Sequence, residues 1–202
     1  MTKIKLCGLS HPCDIEAANE WKPEYIGFVL APKSRRYISP EQAANLKSLL
    51  DPKIKAVGVF VDESPETIAN LLEKQIIDIA QLHGTETEAE ILQLKKYTAK
   101  PIIKAFRIGS KEDLRTASAC SADFILLDSG AGTGTAFDWG LIGKIDRPYF
   151  LAGGLSPENV SSAIQRLHPY AVDVSSGIET GGKKDRTKMA AFICAARKEG
   201  RL

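Results

Sequence analysis

Short runs of β-forming residues alternate with longer segments of helical periodicity from one end of the sequence to the other. Eight runs have the composition of strands: Lys3–Cys7, Tyr25–Leu30, Ile54–Val61, Ile77–Leu82, Pro101–Phe106, Phe124–Leu127, Tyr149–Leu151 and Tyr170–Val174. The segments between them carry apolar residues at spacings of three and four, as amphipathic helices do. Examples are Glu41–Leu50, Glu66–Leu72, Glu88–Tyr97, Asn159–Leu167 and Lys188–Arg197. This alternation predicts an α/β fold with a parallel sheet.

The length of the repeat distinguishes between the two common parallel architectures. Dividing 202 residues among eight strands gives about 25 residues per unit, whereas an open doubly wound sheet of this length usually has about five or six longer units. No linker, charge block or low-complexity segment interrupts the pattern. The sequence therefore predicts a single (β/α)8 TIM barrel that spans residues 1–202.

The same short motif marks the start of three predicted helices. A Ser-Pro-Glu triplet follows a strand at Ser39-Pro40-Glu41, Ser64-Pro65-Glu66 and Ser156-Pro157-Glu158. Serine accepts a hydrogen bond from the first helical turn, proline fits the first helical position, and an acid is favourable near the positive end of the helix dipole. The motif predicts that each of the three serines is an N-cap.

Charge and hydropathy argue against two classes of partner. The 27 Lys and Arg residues nearly balance the 25 Asp and Glu residues, and no basic stripe is present. A nucleic-acid-binding surface needs such a stripe, so we expect no nucleic-acid partner. No apolar run reaches the roughly 18 residues of a membrane span, and residues 1–10 lack the apolar core of a secretion signal. The sequence predicts a cytoplasmic protein that does not bind a membrane.

The four cysteines are scattered along the chain, at Cys7, Cys13, Cys120 and Cys194. They form no C-x-x-C pair and no cluster with histidine, so neither a disulfide framework nor a metal site is indicated. The ordinary interpretation of each is a small buried apolar residue with a reduced thiol.

The predicted C-terminal ends of the strands are polar. This matters because active sites of TIM barrels lie at these ends and in the loops that follow them. In chain order the ends carry Cys7-Gly8, Lys33-Ser34-Arg35-Arg36, Asp62, His83-Gly84, Arg107, Asp128-Ser129-Gly130, Gly153-Gly154 and Ser175-Ser176-Gly177. A thiol, acids and paired glycines at one face of a barrel predict a catalytic site there.

Two glycine-containing pairs indicate a phosphate subsite. Barrels commonly bind phosphate through backbone N–H groups in the loops after strands seven and eight, where Gly153-Gly154 and Ser176-Gly177 lie. Gly181-Gly182 follows closely and is assigned to the same loop, although tight turns would also explain each pair. The run from Gly130 to Gly134 lacks the spacing of a dinucleotide-binding fingerprint. We interpret it as a loop that closes over a ligand.

Cys7 and Asp128 are the candidate base and acid. Alternation along the first strand places Lys5 on the same side as Cys7. A nearby ammonium favours the thiolate, whose ordinary pKa is about 8.5, so we expect a lowered pKa for Cys7. Asp128 ends an apolar strand, where desolvation would favour its protonated form. The alternative for Asp128 is a helix cap or turn former.

The other polar residues at the strand ends leave two interpretations open. Arg36 is suited to a bidentate clamp on a carboxylate, but a solvated loop arginine is the more common case. His83 is either a ligand-binding or a hydrogen-bonded structural residue. Asp62 precedes Glu63 and Ser64 and is explained by a turn.

Distinctive blocks occur in order along the whole chain: Lys5-Leu6-Cys7-Gly8-Leu9, Gly27-Phe28-Val29, residues 32–40, Val57-Gly58-Val59-Phe60-Val61, Gln81-Leu82-His83-Gly84, Leu127-Asp128, Phe137-Asp138-Trp139, residues 153–159 and residues 172–179. With these blocks the sequence resembles the phosphoribosylanthranilate isomerases of tryptophan biosynthesis. The strand-six loop departs from the family pattern at Gly132-Thr133-Gly134-Thr135-Ala136, which concerns loop closure rather than chemistry.

The resemblance implies a cofactor-free and metal-free Amadori rearrangement of N-(5-phosphoribosyl)anthranilate to 1-(2-carboxyphenylamino)-1-deoxyribulose 5-phosphate. It implies that Asp128 is the general acid, Cys7 the general base and Arg36 the ligand of the anthranilate carboxylate. The remaining implied substrate contacts are His83, Gly153, Gly154, Asp173, Ser176 and Gly177, with phosphate at the glycine loops and the sugar, or neighbouring side chains, at Asp173.

Two other functions are compatible with a barrel of this kind. A histidine-pathway or dual-substrate phosphoribosyl isomerase has half-barrel repeats and an aspartate in place of Cys7, and we find no clear half-barrel repeat in the sequence. A non-catalytic barrel that binds a sugar phosphate would keep the glycines without the acid or the base. The sequence leaves the oligomeric state open between monomer and homodimer.

Overall fold

Eight parallel strands form a closed barrel in the computed structural model, which describes residues 1–128, 142 and 145–198. The strands follow one another in chain order: β1 Lys3–Cys7, β2 Tyr25–Val29, β3 Lys55–Phe60, β4 Ile79–Leu82, β5 Ile102–Arg107, β6 Phe124–Asp128, β7 Tyr149–Ala152 and β8 Ala171–Val174. β1 pairs with β8, with Lys5 opposite Asp173, and this pairing closes the barrel. The predicted TIM barrel and its eight strands are confirmed.

Helices follow most of the strands and pack against the outside of the barrel. They are α1 Pro12–Trp21, α2 Pro40–Ser48, α3 Pro65–Glu73, α4 Glu88–Tyr97, α5 Lys111–Ala119, α6 Val160–Leu167 and α7 Arg186–Lys198. A short 3-10 helix, Ser176–Ile178, follows β8. None of the helices within the described ranges has the length and apolar character of a transmembrane segment. The predicted covering loop from Gly130 to Gly134 and the block from Phe137 to Trp139 lie outside the described residues.

Two of the three Ser-Pro-Glu motifs begin a helix as predicted. The Ser39 side chain accepts from the backbone N–H of Gln42, and Ser64 accepts from that of Thr67. The third prediction is wrong, because α6 begins at Val160 and Ser156 is not its N-cap. The Asn159 side chain accepts from the Ser156 N–H at 2.8 Å and donates to the Gly154 carbonyl at 2.9 Å. Asn159 thus closes a turn ahead of the helix and holds the glycine pair after β7.

Aromatic side chains fill the barrel at the N-terminal ends of its strands. Phe150 packs against Tyr25 with ring centroids 5.4 Å apart, and Phe124 stacks on Tyr170 at 5.1 Å. Apolar residues such as Ile103 and Leu126 continue this inner core toward the other end. A second apolar layer lies between the barrel wall and the helices. The inner core closes one end of the barrel, so open space remains at the C-terminal ends of the strands.

A small hairpin follows β8 and was not predicted from the sequence. Its strands, β9 Glu179–Thr180 and β10 Lys183–Lys184, are antiparallel. Gly181 and Gly182 form the turn with φ angles of 58° and 80°, and the two-residue turns that suit a hairpin require positive φ. The assignment of this glycine pair to the phosphate loop is therefore wrong, since the pair makes the hairpin turn and does not line the cavity described below.

Candidate active site

A cavity of about 780 Å³ opens at the C-terminal ends of the barrel strands. Side chains or backbone from all eight strands and the loops that follow them line it. The barrel thereby brings together eight of the predicted site residues: Cys7, Arg36, His83, Asp128, Gly153, Gly154, Asp173 and Ser176. These residues are far apart in the chain, and the closed barrel places them around one space.

Gly177 is the predicted site residue that does not line the cavity. A Cβ atom at this position would lie 2.0 Å from the Leu155 carbonyl oxygen. No side chain fits there, so the glycine permits the loop after β8 to pack against the loop after β7. Its role in the structure is this close backbone approach.

Gly153 and Gly154 adopt a conformation that other residues rarely take. Their φ angles are 88° and 65°. The Asn159 side chain fixes this loop through the Gly154 carbonyl. The two glycines line the cavity beside Ser176, as expected of a subsite built from backbone groups.

Cys7 lies at the end of β1 against a buried ion pair. Below it, the Lys5 ammonium is fully buried and lies 3.0 Å from Asp173 Oδ1. Although burial opposes the charge on Lys5, the carboxylate of Asp173 holds the pKa of Lys5 above its ordinary value. On β2, a Cβ at position 27 would lie 2.6 Å from the Cys7 sulfur, so Gly27 makes room for the thiol.

The pKa of Cys7 shifts in the direction opposite to the one expected from the sequence. Burial raises the pKa of the thiol above its ordinary value, and the nearby Asp173 carboxylate adds to the rise. Lys5 and Lys184 act in the predicted direction and favour the thiolate, but burial outweighs them. The predicted proximity of Lys5 and Cys7 is confirmed, whereas the predicted sign of the net shift is wrong.

Glu179 binds three cationic side chains beside the cavity. Its carboxylate accepts from Arg36 Nε at 2.6 Å and Arg36 Nη2 at 2.9 Å, and from Lys184 Nζ at 2.7 Å. Arg35 approaches it from the solvent side at 3.1 Å. Burial would raise the pKa of Glu179, but the hydrogen bonds from Arg36 and Lys184 prevail and lower it to about 2. Glu179 is therefore a permanent anion that orients the Arg36 guanidinium.

Lys184 connects this carboxylate to β1. Its ammonium also donates to the Ser175 carbonyl at 2.9 Å, and the Ser175 hydroxyl donates to the Cys7 carbonyl at 3.1 Å. Burial lowers the pKa of Lys184, and Glu179 opposes that shift. The hairpin β9–β10 thus ties the Arg36 guanidinium and the backbone of Cys7 to one network.

On the opposite side of the cavity, His83 lies next to Asp128. His83 Nε2 is 3.6 Å from Asp128 Oδ2, slightly longer than a hydrogen bond. The other ring nitrogen, Nδ1, is 2.9 Å from the amide nitrogen of Gln81. The structure therefore places the candidate acid beside a histidine whose ring is held from within the barrel.

The loop that carries His83 is fixed by a buried carboxylate. Glu86 accepts from the backbone N–H groups of Gly84 and Asp62, and Lys104 Nζ binds it at 2.6 Å. Lys104 also donates to the Gly84 carbonyl. Asp62 itself accepts from the Thr85 N–H and does not line the cavity, which agrees with its interpretation as a turn residue.

Five residues of these networks carried no predicted role: Gln81, Glu86, Lys104, Glu179 and Lys184. The inward side of β4 gives one signal, since Gln81 interrupts an apolar strand two residues before His83. Within the described residues, no group of three or more His, Cys, Asp or Glu side chains is arranged to hold a metal ion. The cavity offers a thiol and a carboxyl group for proton transfer, a guanidinium for an anion and backbone groups for a second anion.

The family model described as N-(5'phosphoribosyl)anthranilate (PRA) isomerase matches residues 4–195 of the chain. The enzyme named N-(5'-phosphoribosyl)anthranilate isomerase from Endomicrobium trichonymphae is 44% identical over 198 residues, which cover 96% of this chain and 97% of the relative. The enzyme of the same name from Thermoanaerobacter sp. strain X514 is 46% identical over 200 residues, with the same two coverages.

Solved structures agree with these sequence relatives. Phosphoribosyl anthranilate isomerase from Thermotoga maritima superposes with a TM-score of 0.90 at 38% identity, over 98% of this chain and 100% of that one. A second structure of such an isomerase, in complex with reduced 1-(o-carboxyphenylamino)-1-deoxyribulose 5-phosphate, has a TM-score of 0.88, the same identity and the same coverage. Among the three functions considered from the sequence, the comparisons favour the first.

Proposed function

Because the chain belongs to the N-(5'-phosphoribosyl)anthranilate isomerase family and is an isomerase of tryptophan biosynthesis, we propose that Cys7 and Asp128 are its general base and general acid. The substrate is N-(5-phosphoribosyl)anthranilate and the product is 1-(2-carboxyphenylamino)-1-deoxyribulose 5-phosphate. The observation that carries the assignment is that Cys7 on β1 and Asp128 on β6 line the same cavity. A thiol and a carboxyl group that face one ligand can act as base and acid when the thiol is ionised and the carboxyl group is protonated.

The rearrangement delivers two protons to the substrate and removes two from it. Asp128 donates a proton to the furanose ring oxygen as the bond from that oxygen to C1 breaks, and the nitrogen lone pair forms the Schiff base. The Cys7 thiolate removes the proton from C2, and the electron pair of that C–H bond forms the enolamine. Protonation at C1 and loss of the hydroxyl proton at C2 give the ketone. The atoms balance within one substrate, as an isomerisation requires.

The elevated pKa of Cys7 sets the protonation state from which this chemistry begins. With a pKa raised by burial, most of the resting enzyme holds a neutral thiol near pH 7. Lys5 and Lys184 stabilise the thiolate when it forms. A thiolate in a buried site is a stronger base than an exposed one, because its conjugate acid holds the proton more tightly.

We assign Arg36 to the anthranilate carboxylate. Glu179 takes the Nε hydrogen and one hydrogen of Nη2. Among the residues that the structure describes, nothing binds Nη1 or the remaining hydrogen of Nη2, so these form an edge that can bind a second carboxylate through two parallel hydrogen bonds. Arg36 lines the cavity, so this edge suits the carboxylate of the substrate.

Backbone groups at another part of the rim suit the phosphate. Gly153, Gly154 and Ser176 line the cavity after β7 and β8. Gly177 supports them through its contact with Leu155. His83 and Asp173 also line the cavity. We assign His83 to contact with Asp128, the candidate acid, and Asp173 to contact with the sugar and to the ion pair with Lys5.

The partner is the small-molecule substrate, and the predictions of no cofactor, no metal and a cytoplasmic location stay predictions. One related structure is described as mutually generated monomers of the dimeric isomerase from Thermotoga maritima. For the present chain, monomer and homodimer remain the two expected states.

Turnover by two variants tests the proposed roles. Purified protein in excess chelator receives freshly prepared substrate, and the loss of substrate fluorescence is followed for wild type, Cys7→Ala and Asp128→Asn. We expect each variant to lose a factor of about 10² to 10⁴ in kcat, the usual contribution of a positioned proton-transfer group. Cys13→Ala is the matched control, because that thiol is exposed. Normal turnover by a folded Cys7→Ala or Asp128→Asn would contradict the assignment of that residue.

A further inference from the structure

Arg107, the last residue of β5, lies on the inward face of the barrel wall. Ile103 and Ala105 of the same strand belong to the inner core of the barrel. Because side chains alternate between the two faces of a strand, Arg107 continues this inward row. It lines the cavity, and the pairing of β5 with β6 places it opposite Asp128. Arg107 therefore borders the space in which the substrate is proposed to bind.

The Arg107 guanidinium differs in its partners from the other cations near the cavity. Within residues 1–128, 142 and 145–198, it forms no hydrogen bond or ion pair. Arg36, which also lines the cavity, is held by Glu179 at 2.6 Å. The buried ammonium groups of Lys5 and Lys184 are likewise paired with carboxylates. The charge of Arg107 can therefore be used in full to bind an anionic ligand.

The order of the strands indicates which anionic group of the substrate Arg107 can reach. β5, β6 and β7 are adjacent, and their pairing places Arg107, Asp128 and Ala152 side by side. Neighbouring strands are about 4.8 Å apart, so Ala152 is two such spacings from Arg107. Gly153, at the proposed phosphate site, follows Ala152 directly. Arg36, which we assign to the carboxylate, follows β2, three strands from β5. The phosphate is therefore the nearer of the two anionic groups.

The chemistry of the phosphate also favours a guanidinium at this place. A phosphate ester carries a charge of about −1.5 to −2 at pH 7. The groups assigned to it above are the backbone of Gly153 and Gly154 and the polar group of Ser176, all of which are neutral. A guanidinium forms two parallel, charge-assisted hydrogen bonds with phosphate oxygens. The sugar hydroxyls are neutral and would leave the charge of Arg107 unpaired.

From this placement we propose that Arg107 is a further phosphate-binding residue of the enzyme. Its guanidinium donates two hydrogen bonds to phosphate oxygens from the side of β5, while Gly153 and Gly154 contact the same group from the loop after β7. The contact holds the phosphate end of the substrate on the side of the cavity that carries Asp128. The inference rests on the proposed function for the identity of the substrate and for the phosphate site at the glycine pair.

Binding of ligand analogues tests this contact without turnover. The probes are reduced 1-(o-carboxyphenylamino)-1-deoxyribulose 5-phosphate, the same compound without its phosphate and the same compound without its carboxylate, measured by calorimetry. We expect removal of the phosphate to weaken binding to Arg107→Leu about tenfold less than it weakens binding to wild type. Removal of the carboxylate should cost both proteins equally. Arg115→Leu is the matched control on the exposed surface of α5 and should behave as wild type.

Two results of this comparison would overturn the contact. One is a phosphate effect of equal size in wild type and Arg107→Leu. The other is a phosphate effect and a carboxylate effect that shrink equally in Arg107→Leu, because a general positive field acts on both anions. Arg107→Lys keeps the charge without the planar fork, so it should recover part of the phosphate effect. Thermal unfolding of both variants should match that of wild type, because no contact to Arg107 supports the described fold.

Steady-state turnover separates this inference from the proposed catalytic roles. We expect Arg107→Leu to raise KM about tenfold with a smaller change in kcat, since the phosphate is remote from the bonds that change. An unchanged KM would contradict the phosphate contact. If the roles of Cys7 and Asp128 are wrong, Cys7→Ala or Asp128→Asn retains turnover, while the calorimetric difference between wild type and Arg107→Leu is unaffected.

Discussion

The charged groups on the two sides of the barrel mouth differ in their exposure to solvent. On the base side, formed by β8, β1, β2 and the hairpin β9–β10, Lys5 is fully buried, and the side chains of Lys184 and Glu179 are only 3% and 5% exposed. On the acid side, formed by β4 to β6, the side chains of His83 and Asp128 are 37% and 30% exposed. The same cavity therefore has one side where charges are desolvated and paired and another where they meet water.

This difference in exposure suits the two proton transfers that the proposed mechanism assigns to Cys7 and Asp128. A thiol that is shielded from water becomes a strong base when it ionises, and the buried ammonium groups limit the cost of that ionisation. A carboxyl group that is partly exposed can regain its proton from solvent after each turnover. The buried pair on the acid side, Lys104 and Glu86, binds the backbone of the loop that carries His83.

Removal of Lys5 gives the largest expected effect, because it removes the buried ion pair with Asp173 on the base side. Lys5→Met leaves the Asp173 carboxylate buried without its partner, and we expect a loss of roughly 3 to 5 kcal/mol in the free energy of unfolding. Chemical denaturation measures it. His83→Gln is the comparison on the acid side, where partial exposure predicts a loss of about 1 kcal/mol or less. Similar losses in the two variants would show that the two sides do not differ as described.

Neutralisation of Glu179 gives an intermediate effect that falls mainly on binding. Glu179→Gln loosens the Arg36 guanidinium, so we expect KM to rise about tenfold, with a smaller change in kcat because Glu179 also binds Lys184 beside Cys7. Steady-state kinetics give both values. Glu112→Gln is the matched control, because Glu112 pairs with Arg115 on the exposed surface of α5. A fall in kcat at constant KM would contradict a binding role for this network.

The smallest expected effect is a difference in alkylation rate between two cysteines, which tests the burial of Cys7 on the base side. Cys7 is buried and its pKa is raised, whereas Cys13 on α1 is exposed. At pH 8, we expect iodoacetamide to modify Cys13 several-fold faster than Cys7 in the native protein, since alkylation requires an accessible thiolate. Peptide mass spectrometry after timed quenching measures both rates. Faster modification of Cys7 would be incompatible with a buried, protonated thiol.

The sequence predicts the barrel because each strand and helix carries its own local periodicity. Residues at strand ends were also predictable, since the direction of a parallel strand fixes which end faces the active site. The turn at Ser156 could not be predicted in this way. The Asn159 side chain binds the Ser156 N–H and the Gly154 carbonyl, so the turn forms ahead of the helix and Ser156 does not cap it.

Features that depend on contacts between distant segments could not be predicted. Arg36 and Glu179 are 143 positions apart, and only closure of the barrel brings them together. The raised pKa of Cys7 also depends on contacts between distant segments. Its neighbour Lys5 was visible in the sequence, but the shift depends on burial, with the thiol packed against Gly27, and on the charge of Asp173 from β8. The alternation of side chains along β1 therefore placed Lys5 near Cys7 correctly, but it predicted a lowered pKa for Cys7 where the structure has a raised one.

The pH dependence of kcat/KM for wild type and Cys7→Asp tests most directly whether the base is the buried thiol. Because burial raises the pKa of Cys7, the wild-type value should increase with pH through neutrality into the alkaline range as the thiolate forms. In Cys7→Asp the base is a carboxylate with a much lower ordinary pKa, so this limb should move to lower pH by about two units or more. The exposed variant Cys13→Asp should keep the wild-type profile. A limb at the same pH in wild type and Cys7→Asp would contradict the assignment of Cys7 as the general base.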